Sequence, residues 1–394
     1  MNESGATLLP TVRVTRKGAD RLLSGHLWVY ASDVAERGAA EAGGVVRVAA
    51  PGGRSLGVAH YSSTSQICLR LLSPRVEAVD RAFYLGRLRA ALELRRRVVT
   101  DSEACRVVHA EGDLLPGLVV DRYGNYLVAQ TLDQGMDRDG AVLWDCLCEL
   151  MQPEGILLRN DAPVRVHEHL PLETATARGT VPERVRFRMN GLELEADLAG
   201  GQKTGVYLDQ RENYLAAARH AHGHALDAFT STGGFALHLA ARCEHVEGVD
   251  SSAEALATAA ANRDRNGITN LEFREANVFD LLASLDSAGR RFGTVVLDPP
   301  AFAKSRANLE AAGRGYKEIN LRALRLLDRG GVLVTCSCSH HFSEARLLET
   351  VAEAALDAGK VLRVLERRSQ AQDHPILLTV PETLYLKCLI LEVL

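Results

Sequence analysis

The hydrophobic pattern changes character three times along the chain. Residues 11–73 alternate in short apolar runs, as in Val46-Arg47-Val48 and Ile67-Cys68-Leu69-Arg70-Leu71-Leu72, with a turn at Pro51-Gly52-Gly53. This period of two predicts a small β-rich barrel with a short helical insert near Ala19–Ser24. Phe83, Leu85, Leu88, Leu92 and Val98 then recur at helical spacing and predict a linker helix over 80–98. Between about 104 and 185 the pattern mixes strands with a helix over 137–151. Arg122-Tyr123-Gly124-Asn125 reads as a hairpin turn, as does Asn190-Gly191 further on.

After about 220 the order becomes strand, helix, strand, helix. Ala225–Phe229, Val246–Asp250, Leu271–Arg274, Thr294–Asp298 and Val332–Cys336 read as strands, separated by helices near 234–242, 252–266, 316–328 and 343–358. That alternation predicts a doubly wound, Rossmann-like parallel sheet. Val361–Leu365 and Leu386–Val393 are expected as an antiparallel edge. The fold class is α/β, with expected domains at 1–75 (small β-barrel), 76–185 (small α+β middle domain) and 186–394.

Composition adds little to this picture: 46% hydrophobic and 24% charged residues describe an ordinary soluble protein. The chain starts without a basic, apolar leader and has no long apolar run, so a cytoplasmic location without membrane association is expected. Its eight cysteines are expected as free thiols. Charge matters more locally. The overall net charge is −4, yet residues 1–75 carry a net of +4, and Arg87, Arg89, Arg95, Arg96 and Arg97 follow. A local basic surface can attract phosphates on an acidic protein, while a solvated helix face accounts equally for the arginine run.

Candidate chemistry gathers at strand ends, where open α/β sheets bind ligands. Phe229-Thr230-Ser231-Thr232-Gly233-Gly234 is a strand-to-helix turn whose glycines permit close backbone approach. About twenty residues on, Asp250, followed by Ser251, occupies the position that binds ribose hydroxyls in Rossmann-type sites. The turn is not G-x-G-x-x-G, which disfavours a dinucleotide. Asp298-Pro299-Pro300-Ala301-Phe302 is a stiff loop that can aim a carboxylate and a ring at a flat base. Cys336 and Cys338, two apart on one strand end, suit a thiolate nucleophile. Metal binding with His340 and His341, or inert buried thiols, are the other readings of that segment.

Taken together, Gly205-Val206-Tyr207-Leu208-Asp209-Gln210-Arg211-Glu212-Asn213, the Gly233-Gly234 turn, Asp298 through Ser305, Arg314 through Asn320, the Cys-Ser strand end, Asp373-His374-Pro375 and Pro381-Glu382 through Lys387 resemble the bacterial 23S ribosomal RNA cytosine-5 methyltransferases with an N-terminal PUA domain. The segment Gly25-His26-Leu27-Trp28-Val29-Tyr30 is similar to the start of that domain. The resemblance implies a PUA domain, a middle domain and a class I methyltransferase domain in series. It implies S-adenosyl-L-methionine held by Asp209, Arg211, Phe229, Gly233, Gly234, Asp250, Ser251, Asn277 and Asp298. It implies a base held by Pro299, Pro300, Phe302 and Lys304, and a cysteine nucleophile with Asp298 assisting. The chain departs from the pattern at Ser231, where an aromatic residue is usual, at Asn277, where an acid is usual, and at Cys336, which leaves the nucleophile open between Cys336 and Cys338. The implied partner is ribosomal RNA before or early in subunit assembly, with a homodimer also entertained. A base N-methyltransferase using the Asp-Pro-Pro-Ala-Phe loop and a non-catalytic RNA-binding assembly factor are the rival readings.

Overall fold

The structure is a computed structural model that describes residues 9–200, 206–302 and 308–394. It divides into two compact units. The first takes the chain as far as Val185, a short segment from Asp197, and Gln372–Thr383; the second takes Arg186–Ala196, Val206–Ala371 and Leu384–Leu394.

In the first unit, β1 (Thr11–Val14), β2 (Trp28–Tyr30), β3 (Val34–Glu36), β4 (Val45–Ala49), β5 (Ser55–Tyr61) and β6 (Ile67–Ser73) form a six-stranded sheet in the order β2-β6-β5-β4-β1-β3. The helix α1 (Arg16–Leu23) sits where the short insert is expected, started by Thr15, whose side chain accepts from the Gly18 amide. The linker helix is α2 (Arg81–Val98), capped by the Asp80 carboxylate on the Phe83 amide. A five-stranded sheet in the order β11-β10-β9-β8-β7 follows, built from β7 (Ala104–His109), β8 (Leu118–Tyr123), β9 (Tyr126–Thr131), β10 (Gly155–Asn160) and β11 (Glu173–Gly179). The single helix expected over 137–151 is broken in two, α3 (Gln134–Arg138) and α4 (Gly140–Met151).

Residues 372–383, a strap late in the sequence, complete this first unit. Val380 is fully buried in the cluster formed by Val12, Val29, Val46 and Leu71. The Asp373 carboxylate accepts from the Arg106 amide at 2.9 Å, its carbonyl accepts from Arg95 Nη2 at 2.7 Å, and His26 Nε2 lies 3.1 Å from Glu382. Arg95 is therefore spent inside the fold, on Asp113 and the strap. Of the arginines read as a phosphate surface, Arg87 donates to the Leu72 carbonyl, Arg89 pairs with Glu149 and Arg96 with Glu93. Most of that run serves α2 and its neighbours, which favours the helix-face reading.

The second unit opens with the hairpin β12 (Arg184–Met189) and β13 (Leu192–Asp197), turned by Asn190-Gly191, both at positive φ. The helix α5 (Arg211–His220) leads into β14 (His224–Ala228), α6 (Gly234–Leu239), β15 (His245–Asp250), α7 (Ala253–Arg265), β16 (Leu271–Glu275), α8 (Val278–Ser287), β17 (Phe292–Leu297), α9 (Leu309–Arg325), β18 (Leu327–Ser337), α10 (Glu344–Asp357), β19 (Leu362–Arg368) and β20 (Lys387–Val393). The sheet order is β16-β15-β14-β17-β18-β20-β19. The first five strands are parallel, as the alternating pattern predicts. The final pair is antiparallel, but β20 is not at the edge: it inserts between β18 and β19 and pairs antiparallel with both. The fully apolar Cys388-Leu389-Ile390-Leu391 run fits this interior place, since a strand between two neighbours is covered on both faces. Register aligns the functional ends. Ala228 pairs with Val249 on one side and Leu297 on the other, and Leu297 pairs with Thr335. Phe229, Asp250, Asp298 and Cys336 thus leave the sheet at one level.

Candidate active site

The turn after β14 is held open by an acid inside the strand. Asp227 is completely buried, and its Oδ2 accepts from the Thr230 hydroxyl at 2.5 Å and the Ala236 amide at 2.9 Å. These bonds pin both ends of a loop in which Phe229, Ser231 and Gly233 all have positive φ. Two non-glycine residues in that region store strain, which persists only where the surroundings over-determine it. Gly234 is obligatory for a different reason: a Cβ there would lie 2.4 Å from the Tyr214 ring and hydroxyl. Asp250 closes the loop from the next strand, its Oδ2 accepting from the Ser231 amide at 2.9 Å and its Oδ1 from the Ser252 amide at 3.0 Å. Ser251 is exposed beside it.

Carboxylates concentrate here. Asp227, Asp298 and Asp209 surround the buried Tyr214, whose phenol is pushed well above its ordinary value by burial and then by those three charges. Burial raises the Asp227 carboxyl to about 7; its two hydrogen bonds oppose the rise, and Asp298 and Asp250 add to it. Its Oδ1 has no hydrogen-bond partner among the described residues. A site ringed by four acids, one with an unspent buried oxygen, suits a ligand that brings positive charge and hydroxyl groups. Asp298 Oδ2 accepts from Gln210 Nε2 at 3.0 Å, and Asp209 Oδ2 accepts from the Tyr385 hydroxyl at 2.7 Å. Arg211 is buried beside Glu212, 3.4 Å away.

The two cysteines differ sharply. Cys336 is fully buried opposite Cys388 in the β18–β20 register, and its thiol is pushed well above its ordinary value by burial, then by Cys388 and Asp298. Cys338, just past the strand end, is half-buried. Its turn is fixed on both sides. Ser337 Oγ donates to the Tyr316 hydroxyl at 2.8 Å, that hydroxyl lies 2.9 Å from Ser339 Oγ, and Lys387 Nζ donates to the Ser339 carbonyl at 2.7 Å. Among the described residues, three metal-ligating atoms converge only at His245, Glu247 and Glu272, away from Cys336, Cys338, His340 and His341.

A run of aromatic rings follows these strand ends, Phe229, Phe279, Phe302, Tyr316, Phe342, with successive ring centroids 6.3, 6.1, 4.7 and 4.8 Å apart. Phe302 is half-buried and packs on Tyr316, so part of its surface belongs to the core. Pro299 is buried and Pro300 exposed. Asn277 is exposed and its Oδ1 caps α8, accepting from the Phe279 amide at 2.9 Å. Lys304 lies outside the described residues.

Sequence comparison adds to this geometry. Residues 12–74 match the PUA-like domain family and residues 219–375 a methyltransferase domain family. The chain is 37% identical over 390 residues to the ribosomal RNA large subunit methyltransferase I of Klebsiella pneumoniae (strain 342), covering 97% of this chain and 98% of that one. It is 40% identical over 377 residues to the enzyme of the same name from Shewanella amazonensis, covering 93% and 95%. The chain belongs to the ribosomal RNA large subunit methyltransferase I family. Among solved structures, SMU.776, described as a methyltransferase complexed with SAH, superposes with a TM-score of 0.85 over 98% of this chain and 100% of that one, at 17% identity, a likeness of fold.

Within this methyltransferase I chain the register brings Phe229, Asp250, Asp298 and the cysteine strand end to one level at the carboxyl end of the parallel strands, with Gly233 and Gly234 in the turn after β14 and Asp209 and Arg211 buried just before and at the start of α5. Sequence reasoning missed Asp227, Gln210, Tyr316, Phe279 and Lys387. Asp227 carried a signal, an acid inside an apolar strand two residues before a Gly-containing turn. Phe279 carried one as well: Asn277 followed by Val278, Leu281, Leu282 and Leu285 is a capped amphipathic helix.

Proposed function

We propose that this methyltransferase transfers a methyl group from S-adenosylmethionine to carbon 5 of a cytosine in 23S ribosomal RNA, through a covalent adduct on Cys338. The observation that carries the reading is the half-buried Cys338 on a rigid turn, one strand away from Asp298. In this reading Asp250 holds the ribose hydroxyls of the donor, Asn277 and Phe279 the adenine, and the acid ring of Asp209, Asp227 and Asp298 its positively charged end. The bound donor supplies an electrophilic methyl group.

Carbon 5 of cytosine is too weak a nucleophile alone. Attack of the Cys338 thiolate on carbon 6 makes carbon 5 enolate-like, and Asp298 holds the base edge and assists protonation at nitrogen 3. Loss of the carbon 5 proton and elimination of the thiolate then free the product. The target base must be unpaired or flipped to enter. The names of the relatives support ribosomal RNA as substrate and with it a cytoplasmic location, and the PUA-like region supports RNA contact. No helix among the described residues is long and apolar enough to cross a membrane.

Mass mapping of 23S ribosomal RNA from a deletion strain tests the reading: one cytosine should lose 14 mass units, and complementation should restore it. Covalent trapping on RNA containing 5-fluorocytosine should succeed with wild type. Absence of a trapped species alongside a lost methyl group would point to nitrogen methylation, and no lost methyl group would point to an assembly factor.

A further inference from the structure

Lys387 is the feature of the second unit that the mechanism above leaves unused. It is 5% exposed, and it stands directly across from Ser337 in the β18–β20 register, one residue before Cys338. Its Nζ donates to two backbone carbonyls, Ser339 at 2.7 Å and Tyr385 at 2.8 Å. An ammonium has three N–H groups, and the third is taken by no described residue. A buried cation without a counter-charge is unfavourable by several kcal/mol, so the identity of its counter-charge matters.

Burial pulls the amine down to about 8, and the charges that oppose this are Cys338 first and Glu344 second. Glu344 is already engaged by Arg367 Nε at 2.6 Å and is partly solvated. Of the other titratable groups near the turn, Tyr316 has a phenol pushed up by burial, His340 and His341 carry no negative charge in either form, and Asp298, at the end of the neighbouring strand, is engaged by Gln210. The sulfur of Cys338 is thus the anionic partner that this site offers Lys387.

We propose that Lys387 is a positioning residue for Cys338, fixing the turn through the Ser339 carbonyl and holding the sulfur in its thiolate form with the ammonium charge. This rests on the reading of Cys338 as the nucleophile for its catalytic meaning; the placement beside it rests on the Ser337–Lys387 register and on the ammonium's hydrogen bond to the Ser339 carbonyl, Ser337 and Ser339 being the residues on either side of Cys338. Thiols beside lysine are lowered in pKa, and the effect is reciprocal.

The test reads the sulfur directly. The pH dependence of iodoacetamide alkylation at Cys338, followed by peptide mass spectrometry on the full-length protein without RNA or donor, should shift upward by about one unit in Lys387→Met, slowing alkylation about tenfold below the midpoint. Lys387→Arg, which keeps the charge, should recover much of the shift. In reverse, Cys338→Ala, a truncation of a half-buried side chain, should move the amine-labelling midpoint of Lys387 downward. An unchanged Cys338 midpoint in folded Lys387→Met, or an unchanged Lys387 midpoint in Cys338→Ala, would overturn the pairing. Full methylation by Cys338→Ser would instead sink the nucleophile reading while leaving the alkylation result to be judged alone.

Discussion

Replacing Asp227 by Asn removes a charge that the fold keeps wholly out of water, and the consequence is a change of sign with pH. The folded carboxyl titrates near 7 against about 3.8 unfolded. Between these values the folded state holds more protons than the unfolded state, so wild-type stability falls as pH rises through the window and is lowest above 7. The slope from this group is about 1.4 kcal/mol per pH unit, or roughly 2–4 kcal/mol across the window after relaxation. Asn keeps the acceptor for Thr230 and Ala236 but puts an N–H pair where Oδ1 lacks a partner, which costs about 1–3 kcal/mol at every pH. Asp227→Asn should therefore be less stable than wild type near pH 5 and equal or more stable near pH 8. Both tryptophans, Trp28 and Trp144, lie in the first unit, so tryptophan fluorescence is the wrong probe. Amide hydrogen exchange of β14 and β17 at pH-corrected rates reports on the right sheet. The same substitution should flatten the pH dependence of donor affinity, because a cation in the site favours the carboxylate and expels its proton. Parallel stability curves for the two proteins would show that Asp227 does not titrate in this window.

Cys338→Ser should abolish methylation while leaving donor binding by calorimetry unchanged, whereas Cys336→Ser should remain active with a lowered unfolding midpoint, since it buries a hydroxyl opposite Cys388; reversal of the two activities would move the nucleophile to Cys336. Asp250→Ala loses a carboxylate assigned to two ribose hydroxyls and should weaken donor affinity at least about tenfold, at roughly 1.5–3 kcal/mol per charged hydrogen bond; an unchanged dissociation constant would remove it from the site. Gly234→Ala forces a Cβ onto Tyr214 and should be destabilising by about 1–3 kcal/mol with weakened donor binding, checked by calorimetric unfolding and titration. A wild-type melting curve for that variant would mean that Tyr214 moves aside freely.

The parallel sheet was legible because its strands are apolar runs ending in Asp250, Asp298 and Cys336, and side-chain type at a strand end survives any error in boundaries. Lys387 was not legible, because its meaning depends on the pairing of Ser337 with Lys387 across β18 and β20, and pairing over fifty residues leaves no local mark. The insertion of β20 escaped for the same reason. Within the 86–97 arginine run, charge alone does not tell the exposed Arg89, Arg96 and Arg97 from Arg95, whose guanidinium is enclosed by Asp113 and the Asp373 carbonyl. The strap also changes how RNA capture is to be tested. Deleting residues 1–75 strips the cover from Val380, so altered donor binding in that truncation would not isolate an RNA-binding role; charge reversal at exposed Arg16, Arg54 and Arg97 leaves the core intact.

The strap has a consequence for synthesis as well. The N-terminal sheet is finished at Ser73, yet the residue that completes its core, Val380, is about three hundred positions later. At translation rates of about 5–20 residues per second, the nascent sheet waits roughly 15–60 s with part of its apolar face uncovered. A premature stop before Gln372 would thus leave a product whose first-made domain is the one that cannot close, and such truncated chains should be bound by chaperones through their N-terminal ends.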